Sequence, residues 1–185
     1  MDILTIIYFI SVSLFLLLIY WFLCTKKGKG FGGERIVKEK LNKLNPKEYL
    51  VINNLRINKY QIDHIVVSRY GIFVIETKNW SGRIYGRGWD SKWKQYFRGI
   101  KEPVSFPKNP IYQNKSHLYI LKKSIPELND IPLFPIIVVS GLLERKIYKD
   151  PCIKVSELLK TIYSYKDPLI SEEVKNDIFE KISKL

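Results

Sequence analysis

From Ile3 to Thr25 the chain carries no charged side chain, and the run is rich in Leu, Ile, Phe and Tyr. A stretch of that length crosses the hydrocarbon core of a bilayer as a helix. A cleaved signal peptide has a basic start and a small-residue cleavage site, whereas here Asp2 opens the chain and "IYWFLCTKK" closes the run with bulky residues. The expectation is an uncleaved transmembrane anchor over residues 1–25. Lys26, Lys27, Lys29 and Arg35 follow it and only Asp2 precedes it, so the charge asymmetry puts the rest of the chain in the cytoplasm and the N-terminus outside.

Beyond the anchor, about 160 residues remain, enough for one ordinary domain with a single core. Cys24 and Cys152 lie far apart in sequence, which leaves no disulfide framework and no thiolate metal cluster and fits a reducing compartment. The formal net charge of +13 favours polyanions, either nucleic acid or anionic lipid headgroups. A compositional bias toward Lys, Ile, Asn and Tyr explains the same charge without a binding surface. Charge alone does not choose.

A short Gly/Lys tether, "KKGKGFGG", is expected over residues 26–33, and the folded domain over 34–185. In "ERIVKEKLNKL" the residues Val37, Leu41 and Leu44 recur at helical spacing, with Glu34 one turn earlier on the same stripe. Glu34 therefore faces the protein body, although an acid in a first turn also complements the helix dipole. "EYLVINNL" reads as a strand, and "QIDHIVVSRYGIFVIETKNW" as two more around a turn at Ser68 to Gly71. If that hairpin closes symmetrically, Asp63 lies across from Glu76, with Cβ atoms roughly 5 Å apart. A bulge at Gly71 would shift the register by one and still leave the two acids near each other. Glu76 and Lys78 project to one face and Thr77 to the other. Both faces are otherwise apolar, so the sheet is covered on both sides. Two adjacent carboxylates there repel unless a proton or a cation neutralises them, and a divalent metal is the economical neutraliser.

The segment "SGRIYGRGWDSKWKQYF" mixes Arg83, Arg87, Lys92, Lys94 and Arg98 with Trp89, Trp93 and Tyr96. Such interleaving suits stacking on bases and clamping phosphates. Tryptophans that merely cover the rim of a sheet give the same pattern. Asn109 and Pro110 start a second helix carrying Gln113 and His117 on one face. Neither His64 nor His117 is expected to bind metal. "PLFPIIVVSG" reads as a central strand, and helices near 156–164 and 171–185 complete the domain.

An acid on the first helix, Asp on the second strand, Glu-x-Lys on the third and Gln on the second helix resemble the PD-(D/E)xK nuclease superfamily. More closely, "GGERIVKEKL", "QIDHIVVSRYGIFVIETKNWSGRIYG" and "NPIYQNKSHLYIL" are similar to the nuclease-related domain, NERD, over about residues 31–141. The resemblance implies an α/β fold, a restriction-endonuclease-like core with a mixed central sheet flanked by helices. It implies Mg²⁺ or Mn²⁺ held by Glu34, Asp63, Glu76 and the Thr77 carbonyl, with Lys78 acting on water and the developing phosphate charge and Gln113 positioning water or a phosphate oxygen. The family's proline before the acid is replaced here by Ile62. The implied activity is a membrane-anchored, metal-dependent deoxyribonuclease without organic cofactor, with DNA as partner and room for homo-oligomers. The other reading is a non-catalytic nucleic-acid or protein-binding module that keeps the fold, and a structural ion pair among Asp63, Glu76 and Lys78 is a third.

Overall fold

The computed structural model describes residues 3–24, 26–105, 108–141, 143–145 and 152–185. The chain divides into two units, residues 1–32 and 33–185. The first is dominated by helix α1, Ile3–Cys24. Its stretch Ile3–Tyr20 is long and apolar enough to cross a membrane, a property that signal sequences share.

Helix α2 spans Lys26–Leu41, so the tether expected over 26–33 is corrected to helix. Each glycine weakens a helix by about 1 kcal/mol but keeps its N–H donor, and without a proline nothing interrupts the ladder upstream of Glu34. The second unit then builds a five-stranded mixed sheet in the order β1-β2-β3-β6-β8, formed by Tyr49–Ile57, Tyr60–Ser68, Gly71–Lys78, Leu133–Val139 and Cys152–Lys154. The first three strands form an antiparallel meander, while β6 and β8 add in parallel. Parallel addition needs a crossover, and α3 (Pro110–Ser124) lies between β3 and β6.

The β2–β3 hairpin closes symmetrically, with Val67 opposite Ile72 and His64 opposite Ile75. One face of the sheet buries Ile65, Val67, Ile72 and Val74 beneath Ile120 and Leu121 of α3 and Ile178 and Ile182 of α5 (Glu172–Ser183). The other buries Val66, Phe73 and Ile75 beneath Val37 and Leu41 of α2 and Leu158 and Ile162 of α4 (Leu158–Tyr163). Among the described residues, these clusters draw on positions from Val37 onward, within the second unit.

Strict alternation breaks at one place. Ile62 packs in the same cluster as Ile65 and Val67, and Leu55 and Ile57 join Leu50 and Ile52 there. Between them lies Asn54, in the left-handed region at φ 56°, at the register position of Asp63. Asparagine tolerates that conformation, and the kink flips both strands' facing beside the acid.

A second sheet of three short strands, β5-β4-β7, comprises Lys94–Tyr96, Gly82–Tyr85 and Leu143–Arg145. One of its faces presents Ile84 to a third cluster with Trp93, Ile137, Val139 and Cys152.

Candidate active site

The site gathers where β2 begins and β3 ends. Asp63 is nearly buried, and its Oδ2 accepts the Thr77 N–H at 2.7 Å. The side chain thus satisfies a backbone donor just beyond His64 and Ile75, where the regular β2–β3 pairing ends. Glu76 is 2 % exposed. Lys78, two residues on and on the same face, donates from Nζ to Glu76 Oε1 at 2.6 Å and to Gln113 Oε1 at 2.8 Å. One ammonium ties strand β3 to helix α3.

Gln113 reaches that ammonium because α3 is docked by its neighbour. Asn114 is buried, and its Nδ2 donates to Val74 O at 3.0 Å and Ile136 O at 3.1 Å, straddling β3 and β6 just before Glu76. Asn109 caps the helix by accepting the Ile111 N–H. Glu34 arrives from the other side of the sheet. Gly33 packs so closely on Asn79 and Ser140, beyond the ends of β3 and β6, that a Cβ there would come within 2.6 Å of Ser140 Oγ. That approach brings Glu34 into the fields of both Asp63 and Lys78.

The electrostatics follow from burial. Burial pushes the Glu76 carboxyl up to about 7 even though Lys78 opposes the rise, with Asp63 and Glu34 adding repulsion. Asp63 is raised by burial, against the Thr77 hydrogen bond and Lys78. Glu34 is raised by burial and then by Asp63, with Lys78 acting in opposition. Three acids and one lysine therefore form a single coupled group. Desolvation outweighs the one cation they share.

His117, which the sequence set on the same helix face as Gln113 without giving it a role, stands at the site. Its Nδ1 stands 3.3 Å from Glu76 Oε2, and the two atoms make no hydrogen bond. Burial, reinforced by Lys78, lowers its imidazole to about 4, so it is neutral at physiological pH. The signal available in the sequence was its four-residue spacing from Gln113. His64 lies elsewhere, with Nδ1 2.7 Å from Asn53 Oδ1 and within the field of Lys38 on α2.

The donors suit a hard divalent cation in kind, being carboxylates and amide or carbonyl oxygens, and Glu76 Oε2 is buried without a hydrogen bond. As the side chains stand, no three His, Cys, Asp or Glu side chains among the described residues form a group able to hold a metal. Lys78 takes the place of a cation at Glu76.

Beside the site opens a cavity of about 570 Å³, whose walls include Lys92, Lys108, Tyr60, Tyr112, Gln113 and His117. Of the other residues expected to bind nucleic acid, Trp89 is 72 % exposed and carries the Arg87 guanidinium 5.5 Å from its ring. Its loop is fixed by Asn109 Nδ2, which donates to the carbonyls of Arg87, Gly88 and Asp90. Arg83 and Lys94 lie on β4 and β5, and Arg98 on an exposed turn. Trp93 is corrected to a core residue. It is 1 % exposed, its ring centroid lies 5.8 Å from that of Trp80, and it fills the space over Gly86, so it has no face to offer a base.

A family model described as nuclease-related domain, NERD, matches residues 29–140. An uncharacterized protein of Bacillus anthracis is 32 % identical over 165 residues, covering 84 % of this chain and 76 % of its own. No solved structure matches. With more than half of its length matched by that model, the chain belongs to the nuclease-related domain family.

Proposed function

We propose that the domain is a metal-dependent nuclease that hydrolyses DNA phosphodiesters and is tethered by α1 to the inner face of a membrane. The observation that carries this reading is the Glu76–Lys78–Gln113 chain of hydrogen bonds, coupled to Asp63 and Glu34 and opening on a cleft with two lysines. Glu34, Asp63 and Glu76, with the Thr77 carbonyl, are the groups that would hold Mg²⁺ or Mn²⁺. Such an ion supplies Lewis-acid polarisation of the phosphate and a more acidic water. Lys78 orients the attacking water and offsets the charge growing on the phosphate. Gln113 fixes the ammonium's direction, and Lys92 and Lys108 hold the phosphate backbone at the cleft. Membrane topology rests on the lysines after α1, which favour a cytoplasmic domain.

A second reading, a binding module that keeps the fold, is favoured by Lys78 already serving Glu76 as its cation. Cleavage of linear, circular and branched DNA by the full chain in detergent, with Mg²⁺ or with chelator, separates the two. Cleavage that requires Mg²⁺ and vanishes in Glu76→Gln and Lys78→Ala supports the nuclease. Activity unchanged in the double variant refutes it.

A further inference from the structure

Register places four side chains on the open face of the second sheet. Arg83 pairs with Tyr96 and Tyr85 with Lys94, while Ile84, between them, points into the core. Alternation therefore sets Arg83, Tyr85, Lys94 and Tyr96 together, with cations on one diagonal and phenols on the other. The two rings stand 5.3 Å apart at 83°, edge to face, so one ring face remains available to a third flat group. A turn at Phe97 to Ile100, with Gly99 at φ 78°, carries Lys101 alongside and closes a cavity of about 730 Å³.

This cavity is not isolated. It shares Tyr85 and Lys94 with a neighbouring cavity of about 700 Å³, which in turn shares Ser91 and Lys92 with the cleft containing Gln113 and His117. The three cavities thus adjoin in a row from the candidate active site past Lys92 and Lys94 to the tyrosine pair, and the acid among their linings, Asp90, is engaged by the Arg87 N–H. Cations along the track match phosphates, and the aromatic end matches a flat base. Bases in a duplex are stacked on one another and present only their edges, so only an unpaired strand can use the tyrosines.

We infer that the outer face of the β5-β4-β7 sheet is a stacking subsite for single-stranded DNA, which leads an unpaired strand along the lysine-lined track to the active-site cleft. The purpose of that track rests on the nuclease reading, but the binding itself does not.

The test uses the full chain in detergent micelles with chelator, so that binding is read without cleavage. The probes are a fluorescent oligo(dT) of about fifteen nucleotides, within the range for single-strand sites, and a duplex of equal length. Wild type is expected to bind the single strand more tightly at equal salt. Tyr85→Leu/Tyr96→Leu, which keeps apolar volume and loses the rings, is expected to lower that affinity at least about five-fold, as loss of one base stack does. Tyr85→Phe/Tyr96→Phe is expected to retain it. Should the leucine variant fail to fold, photocrosslinking of iodouracil-substituted oligo(dT) to wild type decides, with adducts expected on Tyr85 or Tyr96. Duplex preference in wild type, an unchanged affinity in the leucine variant, or adducts confined to other residues would overturn the inference. Loss of tyrosine-dependent binding with Mg²⁺-dependent cleavage intact would leave the nuclease standing, and binding without any cleavage would leave the subsite standing.

Discussion

Replacing Glu76 by glutamine removes a charge at nearly constant shape from a site that holds it at a loss. Burial raises the carboxyl from its ordinary 4.5 to about 7. Because the folded protein binds this proton more tightly than the unfolded chain, stability is fully present below pH 4.5 and is lost as pH climbs through 7. Above pH 7 the deficit stays constant at about 3 kcal/mol. That value already counts the charge and hydrogen bond of Lys78, so glutamine, which resembles the protonated acid, escapes the whole deficit. A gain of about 3 kcal/mol is expected at pH 8 and of only about 1 kcal/mol at pH 5, where the folded wild type is still protonated. With an m-value of about 2 kcal/mol/M, the urea midpoint of residues 26–185, followed by tryptophan fluorescence with chelator, should rise about 1.5 M at pH 8. Adding Mg²⁺ should raise the wild-type midpoint and leave the variant's unchanged. A glutamine variant that is less stable than wild type by the same amount at both pH values would refute the reasoning, because that is how a structural ion pair responds to losing a partner.

Burial also lowers the His64 imidazole to about 4, so the unfolded chain takes up its proton first and stability declines as pH falls from 6.5 toward 4; His64→Gln should flatten that limb by about 2–3 kcal/mol in acid-range urea titrations. Trp93→Ala should cost about 3–5 kcal/mol in unfolding free energy, while Trp89→Ala should stay within about 0.5 kcal/mol of wild type. Asn114→Leu removes both donors that dock α3 and should lower stability by about 2 kcal/mol while depressing kcat in the cleavage assay, through Gln113.

The hairpin that carries Asp63 and Glu76 was legible in the sequence because two apolar runs flank a four-residue turn, and of the two registers left open, symmetric closure or a bulge at Gly71, the structure adopts the symmetric one. Helix α3 was legible from Asn109 and Pro110, and β6 from its unbroken apolar run. The second sheet was not. Its described strands are three or four residues long, and its exposed face alternates basic and aromatic residues, a pattern shared by loops and binding segments. Trp93 and Trp89 lie four residues apart with opposite fates, since Gly86 leaves a hollow that only the first can fill. Asn54 hides a facing reversal that alternation cannot encode, because a left-handed residue changes the period for both strands at once. Asn114 and His117 went unassigned because each acts through distant backbone or a distant strand. Only the docked helix reveals those partners.

Glu76 and Lys78 are two residues apart on one strand, so an extended backbone alone brings them to the same side. During folding their encounter requires no loop to close, whereas Asp63 must wait for the hairpin and Gln113 for the docking of α3. The acid most penalised by dehydration therefore enters the interior already accompanied. Moving that lysine to another element, even with the final distance preserved, would leave Glu76 to lose its water alone and would raise the barrier to assembling the sheet around it.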